Sequence, residues 1–212
     1  MTAATQTGSV PSTAWDEMND FARTHKASTL LLMVATNDYA AARCLAQNLL
    51  ITSLVMGAQA LEKYLKAYLV MVNPSRNVRK LSHDITKLLQ EVDGLAPNLS
   101  LSRFMPLAQK FNGHYRTRYP DDPGASTNMT TADIIELDEL ILCINENLPC
   151  PKTVKYRSGL FAAISFSVDH QGQVSPTEHW IKVQNRSLAP LLERIDQDQK
   201  EVLRQLYPSL VL

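Results

Sequence analysis

Cysteine is scarce in this chain. The three present, Cys44, Cys143 and Cys150, are odd in number and show no CxxC or Cys/His ligand spacing. That argues against a disulfide framework and a metal site, and it predicts a reduced, cytoplasmic setting. Glycine is scarce too, and nothing resembles a Gly-rich phosphate loop. GxSxG and HExxH are also missing, which leaves the common nucleotide-hydrolase, esterase and zinc-protease motifs without support. No cofactor is called for. Charge of one sign is missing as well: 21 basic and 21 acidic residues cancel. Binding to a polyanion would therefore have to come from a local basic patch. No charged-then-apolar leader opens the chain. The uncharged run between Arg43 and Glu62 is broken by Gln47, Asn48, Thr52, Ser53, Gly57 and Gln59, which predicts a buried helix rather than a membrane span.

What the chain does have is helical periodicity. Its 212 residues, 45% of them apolar, suffice for one sizeable domain with an appendage. Leu54, Ala58, Leu61, Leu65, Tyr68 and Val72 recur at steps of four and three, the signature of one apolar helix face. Gln59, Glu62, Lys63 and Lys66 occupy the other side, which predicts a solvated charged face with a surface Glu62–Lys66 pair. This helix is expected from about Leu50 to Met71, ending before Asn73-Pro74.

Upstream, a polar tail through residue 12 is expected to be disordered. Ser12 or Thr13 caps a first helix through Trp15, Met18 and Phe21, and a second helix restarts at Asn37 or Asp38. Residues 73–82 read as a basic loop holding Arg76, Arg79 and Lys80. Ser82 is expected to cap a helix through Ile85, Leu88, Leu89 and Val92 that stops at Gly94. Leu99 to Phe111 is another helix despite Pro106, followed by an irregular stretch from Gly113 to Asn128. Thr130 and Asp133 form a capping box for a helix through Ile134, Leu137, Ile141, Ile144 and Leu148. Its acids Asp133, Glu136, Asp138 and Glu139 read as a solvated face. From residue 149 the period changes to two: Leu160, Ala162, Ile164, Phe166 and Val168 predict a strand, and Glu178 to Val183 a returning one. The predicted organisation is a helical bundle over residues 13–148 and a β-hairpin with a final helix over 149–212.

Several segments together carry a resemblance: Asp38-Tyr39-Ala40-Ala41-Ala42-Arg43, Ala60-Leu61-Glu62-Lys63-Tyr64-Leu65-Lys66, His83-Asp84-Ile85, and Tyr115-Arg116-Thr117-Arg118-Tyr119-Pro120. In order and spacing they resemble a HEPN domain, the nucleotide-binding domain of higher eukaryotes and prokaryotes. The resemblance implies an antiparallel, up-and-down helical bundle, often a homodimer. Its members either cleave RNA without metal or serve as non-catalytic nucleotide- and RNA-associated modules. Some are partnered by a nucleotidyltransferase-type protein in toxin–antitoxin pairs.

Catalytic members carry an arginine followed several residues later by a histidine. Arg76 and His83 fit, with six residues between them. An imidazole of ordinary pKa, about 6.5, can move the 2′-hydroxyl proton while an arginine steadies the phosphorane charge. In those members the motif belongs to a late helix, whereas the late helix here, Ala132 to Leu148, has neither Arg nor His. The leading reading is therefore nucleotide or RNA binding without turnover, through Lys63, Lys66, Tyr115, Arg116, Arg118 and Tyr119, where guanidinium forks take phosphate and rings stack on bases. The alternatives are an endoribonuclease using Arg76 and His83, and a protein-interaction module acting through residues 149–212.

Overall fold

The computed structural model describes residues 13–47, 50–116, 130–165, 175–192, 197–198 and 201–202. The predicted tail, most of the irregular stretch before Thr130, the predicted hairpin turn and most of the last helix lie outside the described residues.

Thr13 caps α1 (Ala14–Thr24) through a reciprocal capping box with Asp16. The second helix, α2, runs unbroken from Lys26 to Ala46, which corrects the restart expected at Asn37 or Asp38. Asp38 is held in the helix by an ion pair with Lys63 across the neighbouring helix (2.6 Å), so tertiary contact overrides a local capping signal. α3 (Leu50–Val72) follows. The pairs Ala42–Ser53, Asp38–Lys63 and Thr36–Tyr64 descend on one helix as they rise on the other, so α2 and α3 are antiparallel.

The chain after α3 turns back towards the other end of the bundle, includes one 3-10 turn (Val78–Lys80), and enters α4 (Ile85–Leu95). Asp84, not Ser82, caps α4, accepting from the backbone N–H groups of Thr86 and Lys87. Ser82 instead accepts from the Asp84 N–H at 3.0 Å. The helix passes Gly94 and ends one residue later. Two 3-10 turns lead into α5 (Met105–Arg116), where Pro106 sits in the first turn and needs no amide partner. Asn112 on α5 accepts from the Ile85 N–H (2.8 Å) and donates to Asp84 (2.5 Å), tying the end of α5 to the start of α4.

Thr130 and Asp133 form the expected capping box for α6 (Thr131–Glu146). Gly57 on α3 explains how closely these helices approach: a Cβ there would meet Phe111 of α5 at 3.1 Å and Leu137 of α6 at 3.2 Å. α3 is the central helix, packing against α2, α4, α5 and α6, and from Ala60 to Met71 all but Lys63 is buried.

After residue 149 the described residues include the short helices α7 (Lys152–Lys155), α8 (Gly159–Ser165) and α9 (Pro176–Lys182), and residues 189–192, 197–198 and 201–202 are helical as well. The predicted β-hairpin is corrected, because the described parts of both proposed strands are helical and there is no strand among the described residues. Period two put Phe161 on the outer face, yet Leu160, Phe161 and Ile164 are all buried, a helical i, i+1, i+4 pattern. α8 and α9 pack on α2, and α7 on α1. Gly159 makes the approach to α2 possible: its φ is +57°, and a Cβ would lie 3.1 Å from that of Leu32. None of the described helices is long and apolar enough to cross a membrane.

Candidate functional site

Two buried ionic centres organise the polar chemistry of the molecule. The first lies on the face of α3 that periodicity assigns to solvent. Glu62 is 6% and Lys66 5% exposed, so the predicted surface pair is a buried one. Lys66 Nζ donates to Glu62 Oε1 at 2.8 Å, and His83 Nδ1 lies 2.9 Å from the same oxygen. The segment after α3 brings His83 alongside that face. The His83 side chain itself remains 74% exposed. With Nδ1 occupied by Glu62, the ring presents Nε2 outward.

Arg76 does not share this centre. Its guanidinium pairs with Glu91 of α4 at 2.5 Å, one and a half turns beyond the start of that helix. Six residues of helix rise, about 9 Å, separate Glu91 from Ile85 beside His83. The two residues of the nuclease-like pair are thus anchored on different carboxylates. Lys63 is likewise engaged, with Asp38 and with the Gln59 side chain at 2.9 Å. Between Arg76 and His83 stand Arg79 and Lys80, both exposed and without an ion pair among the described residues. Lys87 follows on α4, 3.8 Å from Asp84. These cations form a basic edge that the sequence shows as a charge run in a loop. Asp84 stays ionised there: burial raises its pKa, but hydrogen bonds from Thr86, Asn112 and the Lys87 and Thr86 amides outweigh it, leaving a net lowering. Arg118 and Tyr119 lie outside the described residues. Tyr115 and Arg116 end α5, and their side chains are not described.

The second centre joins α2, α6, α9 and the chain after α9. Asp138, expected on a solvated face, is buried. It accepts from the Tyr39 hydroxyl at 2.6 Å and from the Arg43 guanidinium. Arg43 also donates to the carbonyls of Trp180 (2.8 Å) and Val183 (2.6 Å), so each of its nitrogens has an acceptor. Asn185 donates to the Tyr39 hydroxyl at 3.0 Å. Burial is the largest influence on Asp138 and raises its pKa against the opposing pull of Arg43 and Tyr39. Burial and the Asp138 charge likewise push the Tyr39 phenol well above its ordinary value. Beside this centre, the Tyr64 hydroxyl is 2.8 Å from Thr36 Oγ1 and also meets Asn145 of α6.

Sequence reasoning quoted Arg43 only within a motif and missed Asp138 as its partner. A signal was present: Asp138 lies between Leu137 and Leu140-Ile141, too near the apolar stripe to be fully solvated. No cluster of His, Cys, Asp or Glu suited to a metal occurs among the described residues.

A family model, the HEPN domain, matches residues 20–148. That span takes in α2 through α6 and both ionic centres apart from Trp180, Val183 and Asn185, which lie on α9 and after it. Comparison with curated proteins and with solved structures gives no match.

Proposed function

This chain belongs to the HEPN domain family, and on that premise we propose that it binds nucleotide or RNA without turning it over. The observation that carries this reading is the separate anchoring of Arg76 on Glu91 and His83 on Glu62. A cleavage reaction needs both groups at one phosphodiester, whereas a phosphate backbone is held by cations spread along an edge. Arg79 and Lys80 supply such an edge, with His83 and Lys87 continuing it. Arg116, Arg118, Tyr115 and Tyr119 remain candidates for base stacking and further phosphate contacts. Lys63 and Lys66 act here as structural cations, each committed to a carboxylate.

The test is fluorescence anisotropy of a labelled single-stranded RNA at low salt. Wild type binds, and Arg79→Ala with Lys80→Ala weakens binding across sequences and lowers the salt dependence by about two phosphate contacts. No binding by the wild type at low salt overturns the proposal.

One observation favours a second reading, metal-independent cleavage. His83 is fixed through Nδ1 on a buried carboxylate and offers Nε2 to solvent, as a general base requires. Under that reading RNA is cut in the presence of a chelator and His83→Ala abolishes the cut. Intact RNA after prolonged incubation with wild type removes it. The reading also takes the chain as a homodimer, which sedimentation equilibrium decides.

A further inference from the structure

Next to the Arg43–Asp138 centre the structure has a cavity of about 960 Å³, bounded by the end of α2, the first turns of α6 and the chain following α9. Small-molecule sites typically span roughly 300–1,000 Å³. Ile134 and Ile135 of α6 and Val183 give it apolar walls. Arg43 and Asp138 line it as a neutralised pair, so the buried carboxylate does not repel an anion, and each of the three guanidinium nitrogens already has an acceptor. Among the described lining residues the remaining charge is that of Arg186, which is exposed and has no ion pair among the described residues.

The turn after α9 shapes the same place. Gln184 lines the cavity with φ +54°. It follows Val183 at φ −61°, ψ 121° in a type II turn closed by the Asn185 N–H on the Lys182 carbonyl at 3.3 Å, a turn that requires a positive φ at this position. Here it redirects the chain out of α9. Val183 keeps its carbonyl on Arg43 while Arg186 is carried to the cavity wall.

We infer that this cavity is a binding site for a small amphipathic monoanion, an apolar body bearing one carboxylate or sulfonate group. The body packs on Ile134, Ile135 and Val183, and the anionic group meets the Arg186 fork. A cation is disfavoured because Asp138 is already paired, and a polyanion because among the described residues the one unpaired guanidinium of the lining offsets only one charge. The site lies on other elements than the basic edge and uses residues beyond the HEPN-matched span, so it stands independently of RNA binding.

The test uses 8-anilinonaphthalene-1-sulfonate, an aromatic monoanion whose fluorescence rises on leaving water, titrated into the full chain. One saturable site is expected, with dye raising the thermal midpoint of the wild type. Ile135→Trp, at an exposed position that tolerates the larger ring, crowds the apolar wall beside Ile134 and weakens both effects. Arg186→Ala raises Kd about tenfold or more, roughly what loss of one charge-assisted contact costs. Met33→Gln, which changes an exposed apolar residue on α2 instead, leaves dye binding intact. Retained affinity in either Ile135→Trp or Arg186→Ala, or equal loss in Met33→Gln, overturns the inference.

Discussion

The two ionic centres are built from the same kinds of groups and serve opposite ends. At Arg43–Asp138 both charges are buried and each of the three nitrogens of the arginine has a named acceptor, on α6, on α9 and just after α9. At Glu62–Lys66 the pair is just as buried, yet the third member, His83, stands in solvent. The first is a closed knot between elements distant in sequence. The second is a buried pair with one titratable handle outside. Burial of a charge pair alone therefore says little about role; what distinguishes the two is whether a group of the network reaches water.

The sharpest way to break this comparison is to remove one charge from the closed centre. Asp138→Ala leaves the Arg43 guanidinium buried without its counter-charge, and a loss of about 3–5 kcal/mol is expected in urea unfolding. Combining it with Arg43→Met should restore part of that loss, and a double-mutant cycle measures how much. In the open centre the same operation costs less. Lys66→Met leaves Glu62 with His83 as a remaining partner, so about 2 kcal/mol is expected. Equal losses at the two centres would erase the distinction. Smaller still is His83→Ala, at most about 0.5 kcal/mol in the same assay, because the ring is mostly exposed. A larger loss would make His83 a structural residue rather than a handle.

Acid titration gives the smallest effect and separates two aspartates by sign. Asp84 has a lowered folded-state pKa, so it contributes stability that is present above the ordinary aspartate value of 3.8 and lost as pH falls below it. Asp138 has a raised one, so its ionisation opposes folding increasingly as pH climbs past 3.8, and acidification relieves rather than adds to that cost. Asp84→Asn should flatten the acid limb of the stability curve below pH 3.8. An unchanged limb would show that the Thr86 and Asn112 hydrogen bonds do not depend on its charge.

Local signals were legible where a few adjacent residues settle the matter. Thr13, one of the two caps expected, begins α1, the Thr130–Asp133 box begins α6 as expected, and α3 begins at Leu50 and ends one residue past Met71. Gly57 was readable as a close-packing glycine. The second covered face of α3 was not legible. Periodicity detects one apolar stripe, but a central helix is buried on several sides, and Glu62 and Lys66 meet that burial by pairing with each other. The continuity of α2 through Asn37-Asp38 depended on Lys63, distant in sequence. The hairpin reading failed because alternate residues in a short apolar run satisfy both periods, and seven-residue helices carry too few turns to separate them.

The carbonyls of Trp180 and Val183 that receive Arg43 have a consequence for modularity. The recognisable family unit ends at residue 148, yet one of its innermost side chains finishes its coordination on backbone contributed some thirty residues later. A fragment cut at the family boundary would carry an arginine whose ligands had been left on the discarded piece. For cloning, fusion or grafting, the indivisible unit of this protein is therefore longer than the unit by which its kinship is recognised.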